Sequence, residues 1–243
     1  MFNWQLLGLV LLVATTACQP ATKQQSSGNQ TNSPNTNNVL ANNNAPLPAQ
    51  CDNIPLQMSA ITTNSDLQSL TVVNQALKNC VPLVPLETRQ LWLDASWKMY
   101  ERFLNMGQQS DDGVWDEFSG TIEGYADESN EDKQARLQRQ TELWPKLRPR
   151  MKQMSKWLGQ EYIDNFYIGE GMMQLRRHPQ YVIDVFAPYL PTDEQVFVTE
   201  LGRENTALTT NDAALVVSWA EVSQRTMFWE RYLKQYPQSR YHK

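Results

Sequence analysis

Residues 87–106 limit most what this chain can become. Trp92, Ala95, Met99, Phe103 and Met106 recur at helical spacing, and Leu93, Trp97, Tyr100 and Leu104 form a second stripe beside them. Only Asp94, Lys98, Glu101 and Asn105 leave a polar strip. A helix with two apolar stripes must be covered over most of its circumference, so it has to sit among other elements. Its neighbours also read as helices, and no alternating strand pattern stands out in 51–243. Residues 66–79 put Leu67, Leu70, Val73 and Leu77 on one side. Ser129 or Asn130 can cap a helix to Trp144, with acids in its first turn to suit the dipole. A helix near 150–167 carries Met151, Met154, Trp157 and Leu158 inward, and Gly169 and Gly171 mark a joint. Pro179 suits a first helical position, ahead of Val182, Val185, Phe186 and Tyr189. Thr192-Asp193-Glu194-Gln195 has the form of a capping box opening a helix to near Asn205. Thr210 is expected to cap a last helix with the stripe Leu215, Trp219, Val222, Trp229 and Leu233. The expected fold is all-α, an array of about seven helices. One long acidic loop, 108–132, interrupts it, with nine Asp or Glu and neither Lys nor Arg before its end.

The first fifty residues are of another kind. Residues 6–17 are an apolar run of about a dozen, short of the ~20 a membrane-spanning helix needs and suited to a signal-peptide core. The run ends in Thr15-Thr16-Ala17-Cys18. Residues 19–50 are almost entirely Asn, Gln, Ser, Thr, Ala and Pro, and Lys23 is the only charge before Asp52. Such a stretch cannot bury enough apolar surface to offset its ordering entropy. About 32 residues of flexible tether reach roughly 30 Å. Three regions follow: 1–17 signal peptide, 18–50 tether, 51–243 helical domain.

Small residues leading into Cys18 resemble the lipobox of bacterial lipoproteins. That resemblance implies cleavage before Cys18, acyl chains such as palmitate on its thiol and amine, and a mature protein beginning there. With Gln19 next, it also implies sorting to the Gram-negative outer membrane, facing the periplasm. Ordinary cleavage after Ala17, giving a protein secreted to the periplasm or the cell surface, and an uncleaved anchor are the competing outcomes. If Cys18 carries lipid, Cys51 and Cys80 remain, and an oxidising envelope would pair them. The loop of about 30 residues would contribute roughly 3.5 kcal/mol in the chain-entropy account. Two independent buried thiols are the alternative.

At the other end, the run from Phe228-Trp229-Glu230-Arg231-Tyr232-Leu233 to Tyr236-Pro237-Gln238-Ser239 resembles the close of a tetratricopeptide-type helical hairpin. Glu101-Arg102-Phe103-Leu104 echoes Glu230-Arg231-Tyr232-Leu233, which implies a helical-repeat build, although no 34-residue period runs through the chain.

Motifs for chemistry are sparse. The chain lacks Gly-x-Ser-x-Gly, Ser-x-x-Lys, His-Glu-x-x-His, Cys-x-x-Cys and a phosphate loop, and no cofactor or metal is expected. His178, at a helix start, and His242, near the terminus, are the only histidines. Weak catalytic candidates are Glu117, Asp116 and Asp112, with Asp111 beside them, flanking Gly113 and Trp115. Two carboxylates by an aromatic platform are what a cell-wall glycan hydrolase would need; a solvated acidic loop is the plainer reading. Arg136, Arg139, Lys146, Arg148, Arg150, Lys152 and Lys156 form a basic stretch that could meet anionic headgroups or an acidic partner, or pair with the preceding acids. Arg176-Arg177-His178 reads the same way. A net charge of −5 argues against nucleic acid as a partner. The leading expectation is an envelope lipoprotein whose helical domain binds or scaffolds a protein partner, and the alternative is a carboxylate-dependent cell-wall glycan hydrolase.

Overall fold

Asp66 accepts hydrogen bonds from the Ser69 backbone N–H, at 2.8 Å, and from its hydroxyl. That cap holds the Asp66 carboxyl below its ordinary value. It opens α2 (Leu67–Cys80), which follows the short α1 (Ile54–Ala60) and precedes α3 (Leu86–Leu104). The computed structural model describes residues 47–105, 113–124, 127–169, 172–211 and 214–242. The order continues with α4 (Gly113–Ser119), α5 (Asn130–Leu143), α6 (Pro149–Trp157), the strands β1 (Ile163–Gly169) and β2 (Met172–Arg177), then α7 (Gln180–Val185) and α8 (Thr192–Thr206). Two-residue strands β3 (Thr210–Asn211) and β4 (Ala214–Leu215) lead into α9 (Trp219–Gln235). The fold is predominantly helical, with two small antiparallel hairpins. Cys18, the signal-like run and most of the tether lie outside the described residues, as do Met106, Asp111 and Asp112. Leu47 already packs against the core.

The α3 stripes do what their spacing demands. Trp92, Leu93, Met99, Tyr100, Phe103 and Leu104 are buried, most of them completely. Leu70, Val73 and Leu77 of α2 and Ile54 and Met58 of α1 complete the same core. The Cys51 and Cys80 sulfurs stand at disulfide distance, with Cα atoms 5.7 Å apart, joining the turn before α1 to the end of α2. Arginines close helix ends from outside: Arg102 donates to the Met58 and Ile61 carbonyls, and Arg150 to those of Ser65 and Phe103. The last carbonyls of α1 and α3 thus gain donors that no helix can supply to itself. α3 stops at Asn105 in a left-handed conformation, φ 52°.

Four expectations need correction. The acidic loop contains α4, because Trp115 and Phe118, three residues apart, both find the core. The helix near 150–167 ends at Trp157, and Ile163–Gly169 turns into a strand. That run is rich in β-branched and aromatic residues, and Gly169, expected at a joint between helices, is its last residue, at φ 108°. Ile163 pairs with Arg177 and Phe166 with Gln174, and Ile163, Leu175 and Arg177 face the core. The residue before α8 is Pro191, with no side-chain cap, so Thr192 lies within the helix and forms no capping box. The last helix is capped by Ser218, eight residues after Thr210, through a 3.1 Å bond from the Glu221 N–H. That start rotates the inward face to Arg225, Phe228 and Tyr232, and leaves Leu215, Trp219 and Leu233 exposed.

Candidate functional site

The acidic and basic segments are each other's partners. Glu117, on the outer side of α4, meets the Arg139 guanidinium of α5, which also reaches Glu142 at 3.2 Å. Glu128 receives two bonds from Arg136, at 2.7 and 2.9 Å, and Arg136 also donates to the Thr121 carbonyl. Those bonds hold the Glu128 carboxyl below its ordinary value. A Cβ at Gly124 would lie 2.5 Å from a Glu128 oxygen, so a side chain there would displace the ends of this pair. Further along the basic stretch, the Arg150 guanidinium stands against the stacked Phe103 and Trp157 rings, at 4.7 and 5.1 Å. Burial lowers its ordinarily very high pKa. Lys152 donates to the Pro145 carbonyl. Much of what reads as a basic surface is therefore committed within the fold.

Of the catalytic candidates, Asp116 and Glu117 fall on α4, and Asp112 lies outside the described residues. Glu117 is taken up by Arg139 on an open helix surface, with nearly half its side chain exposed. Among the described residues, no three His, Cys, Asp or Glu side chains gather closely enough to hold a metal ion.

A groove of about 470 Å³ opens between α4, α5 and α6. Phe118 and Ile122 form one side, Gln140, Thr141 and Trp144 a second, and Ser155 and Lys156 a third. The Phe118 and Trp144 rings meet at 5.7 Å, and the Lys156 ammonium stands 5.8 Å above the Trp144 ring. Three elements contribute, so no run of sequence could announce it.

The triplet Arg176-Arg177-His178 separates because strand neighbours point to opposite faces. Arg176 covers the Phe166 ring and pairs with Asp164 at 2.9 Å on the outer face. Arg177 turns inward and is 7% exposed. Its guanidinium lies 5.1, 5.6 and 4.6 Å from the Trp97, Tyr100 and Tyr181 rings and donates to the Ser96 hydroxyl at 2.9 Å. Among the described residues it enters no ion pair with a carboxylate; the aromatic faces and one hydroxyl hold the charge. Burial pushes the Tyr181 hydroxyl up to about 12. The adjoining turn carries Glu161 and Tyr162 in left-handed conformations, φ 44° and 59°. Tyr100 fixes it by donating to the Glu161 carbonyl at 2.7 Å, and Asn74 by donating to the Glu161 carboxylate at 2.7 Å. His178 accepts the Gln180 N–H on its ring nitrogen, which makes it a cap for α7. Trp97 and Tyr100 were legible as apolar positions, Tyr181 fell outside the apolar face expected for its helix, and nothing in their spacing marked a buried cation.

α9 presents the clearest exposed apolar face. Trp219 is 79% exposed, and Met227 and Leu233 lie on the same outer side, with Leu215 and Val216 exposed in the segment just before. Its inner side is fixed by Arg225, which bonds Glu221, Thr209 and the Ala207 carbonyl, and by Trp229, whose indole donates to Glu204. The C-terminal segment that resembles a tetratricopeptide hairpin turns back on itself after α9. Tyr232 bonds Ser239 at 2.7 Å and Tyr241 stacks on Phe197 at 4.0 Å. Nearby, Glu194 of α8 is buried, with Gln90 donating to it and Arg240 3.7 Å away, and burial raises its carboxyl above the ordinary value.

Among the described residues no helix is long and apolar enough to cross a membrane. No family model, curated protein or solved structure matches this chain.

Proposed function

We propose that this chain is a lipid-anchored protein of the bacterial outer membrane whose helical domain faces the periplasm and binds a protein partner. The observation that carries the binding role is the outer side of α9, where Trp219, Met227 and Leu233 are left without cover. A solvent-facing Trp among aliphatic neighbours is the composition of an interface anchor. The anchor rests on the lipobox-like Thr15–Cys18 sequence and the tether-like composition after it. A disulfide-distance cysteine pair in the domain suits an oxidising compartment. Anchoring confines the domain to a thin shell at the membrane, so a modest contact is enough.

The test has two arms. Labelling with a fatty-acid analogue is expected to depend on Cys18, and equal labelling of Cys18→Ala would remove the anchor. A photo-crosslinker at Ser223, on the same side of α9 as Trp219, is expected to trap one defined protein in native envelopes, and Trp219→Ala should abolish that product. A trapped product unaffected by Trp219→Ala would remove the α9 face from the binding role. The hydrolase alternative, built on Glu117 and Asp116 or Asp112, is favoured by no feature of the described residues, among which Glu117 is taken up by Arg139.

A further inference from the structure

The hydrogen-bond inventory of the groove between α4, α5 and α6 selects its ligand. Thr141 donates its hydroxyl proton to the Leu137 carbonyl at 2.9 Å, and Ser155 donates to that of Lys152 at 3.1 Å. The Gln140 amide nitrogen donates to the Thr121 carbonyl at 3.2 Å, which fixes its oxygen as the other terminus. What these side chains still offer is chiefly lone pairs, on two hydroxyl oxygens and one amide oxygen, with the second Gln140 N–H beside them. The strong donor on the wall is the Lys156 ammonium, which makes none of the ion pairs found among the described residues. The floor is apolar and aromatic, from Phe118, Ile122 and Trp144. A fitting ligand must donate several hydroxyl hydrogen bonds, carry one anionic group, and lay an apolar face on an indole.

We infer that this groove binds an acidic saccharide of two or three sugar units. The C–H face of a pyranose covers Trp144, the sugar hydroxyls donate to Thr141, Ser155 and Gln140, and a ring carboxylate meets Lys156. The volume lies within the ~300–1,000 Å³ usual for small-ligand sites. A fatty acid satisfies Lys156 but sets a hydrocarbon chain against three acceptors, which then lose their water without replacement. A polyphosphate finds one free ammonium where it needs several, because Lys152 is held by the Pro145 carbonyl. This inference needs neither the lipid anchor nor the α9 partner, and it is tested by other readouts.

The experiment is calorimetric titration of the purified full chain with trigalacturonate, with maltotriose as the uncharged control and octanoate as the apolar anion. Trigalacturonate is expected to bind more tightly than maltotriose, and octanoate is expected not to compete. Lys156→Gln should bring trigalacturonate to the level of maltotriose, a loss of about threefold, the size of an exposed ion pair, without changing maltotriose. Trp144→Leu should weaken both sugars roughly tenfold or more, as removal of an aromatic anchor does. Because Trp144 also packs on Phe118, the double variant Thr141→Val/Ser155→Ala removes acceptors while leaving the rings in place, and should weaken both sugars with an unchanged melting temperature. Absence of trigalacturonate binding at millimolar concentration overturns the inference. So does displacement by octanoate, or an equal effect of Lys156→Gln on both sugars.

Discussion

The α2–α3 pair and the α4–α5 arm are both helical hairpins in sequence, yet they are held by different forces. α3 buries seven side chains in one core with Leu70, Val73 and Leu77 of α2, and the Cys51–Cys80 pair joins the turn before α1 to the end of α2. α5 has fourteen residues and buries only Leu143. Its attachment to α4 is polar: Arg136 to Glu128 and the Thr121 carbonyl, Arg139 to Glu117, Gln140 to Thr121. Apolar burial is insensitive to salt and moderate acid, whereas ion pairs at a surface depend on both. The core pair should therefore open only with the whole fold, and the arm should open alone.

The largest break in this contrast is Phe103→Ala. It should cost about 3–5 kcal/mol, because the ring is fully buried against Trp157 and Arg150. Denaturant unfolding should show one cooperative transition at lower midpoint, and a separate early phase would mean that α3 is not the common core. Removing both Cys51 and Cys80 as serines should cost about 3.5 kcal/mol in the chain-entropy account, read as a lower melting temperature matched by wild-type protein in reductant. Smaller and local is Arg136→Gln. Amide exchange in α5 should accelerate while exchange in α3 stays unchanged, and equal acceleration in both would erase the distinction between the regions. Raising salt to 1 M, where screening acts within ~3 Å, should move α5 in the same direction by less.

Acid sharpens the comparison through its sign. The Glu128 carboxyl is held below its ordinary 4.5, chiefly by its hydrogen bonds from Arg136. Its contribution is complete above that value and disappears as pH falls through the lowered native one. Glu194 runs the other way. Burial raises it, so the native state holds a proton that the unfolded chain has released, and its effect on stability improves as pH falls toward 4.5. Between pH 6 and 4.5 the α8 region should gain while the arm is untouched, and below that interval the arm should loosen. Exchange measured at both pH values in the two regions checks the order.

What could be read in the sequence depended on how local its cause was. The Ser129 cap and the α3 stripes rest on residues near one another in sequence, and both stand among the described residues. The hairpin Ile163–Arg177 escaped because a short run such as Ile163-Asp164-Asn165-Phe166-Tyr167 fits either period until something covers one face, and that cover comes from α3 and α4. Trp219 was misplaced for a related reason: a large apolar side chain signals burial on average, and its actual exposure was set by where Ser218 starts the helix. For the site, both charge runs were visible, but the pairing of Glu117 with Arg139 across 22 residues was only one of the options they left open. The groove was invisible, since Phe118, Trp144 and Lys156 become neighbours only after three helices pack.

Arg177 fixes chemistry more than it fixes volume. Burial lowers its pKa, yet a guanidinium starts so high that it remains charged among Trp97, Tyr100 and Tyr181. A lysine of similar length starts near 10.4 and readily surrenders its proton when dehydrated. The aromatic box would then enclose a neutral amine to which ring faces have little attraction. Variation across descendants of this chain should therefore be free to resize the box walls long before it exchanges the ion they enclose.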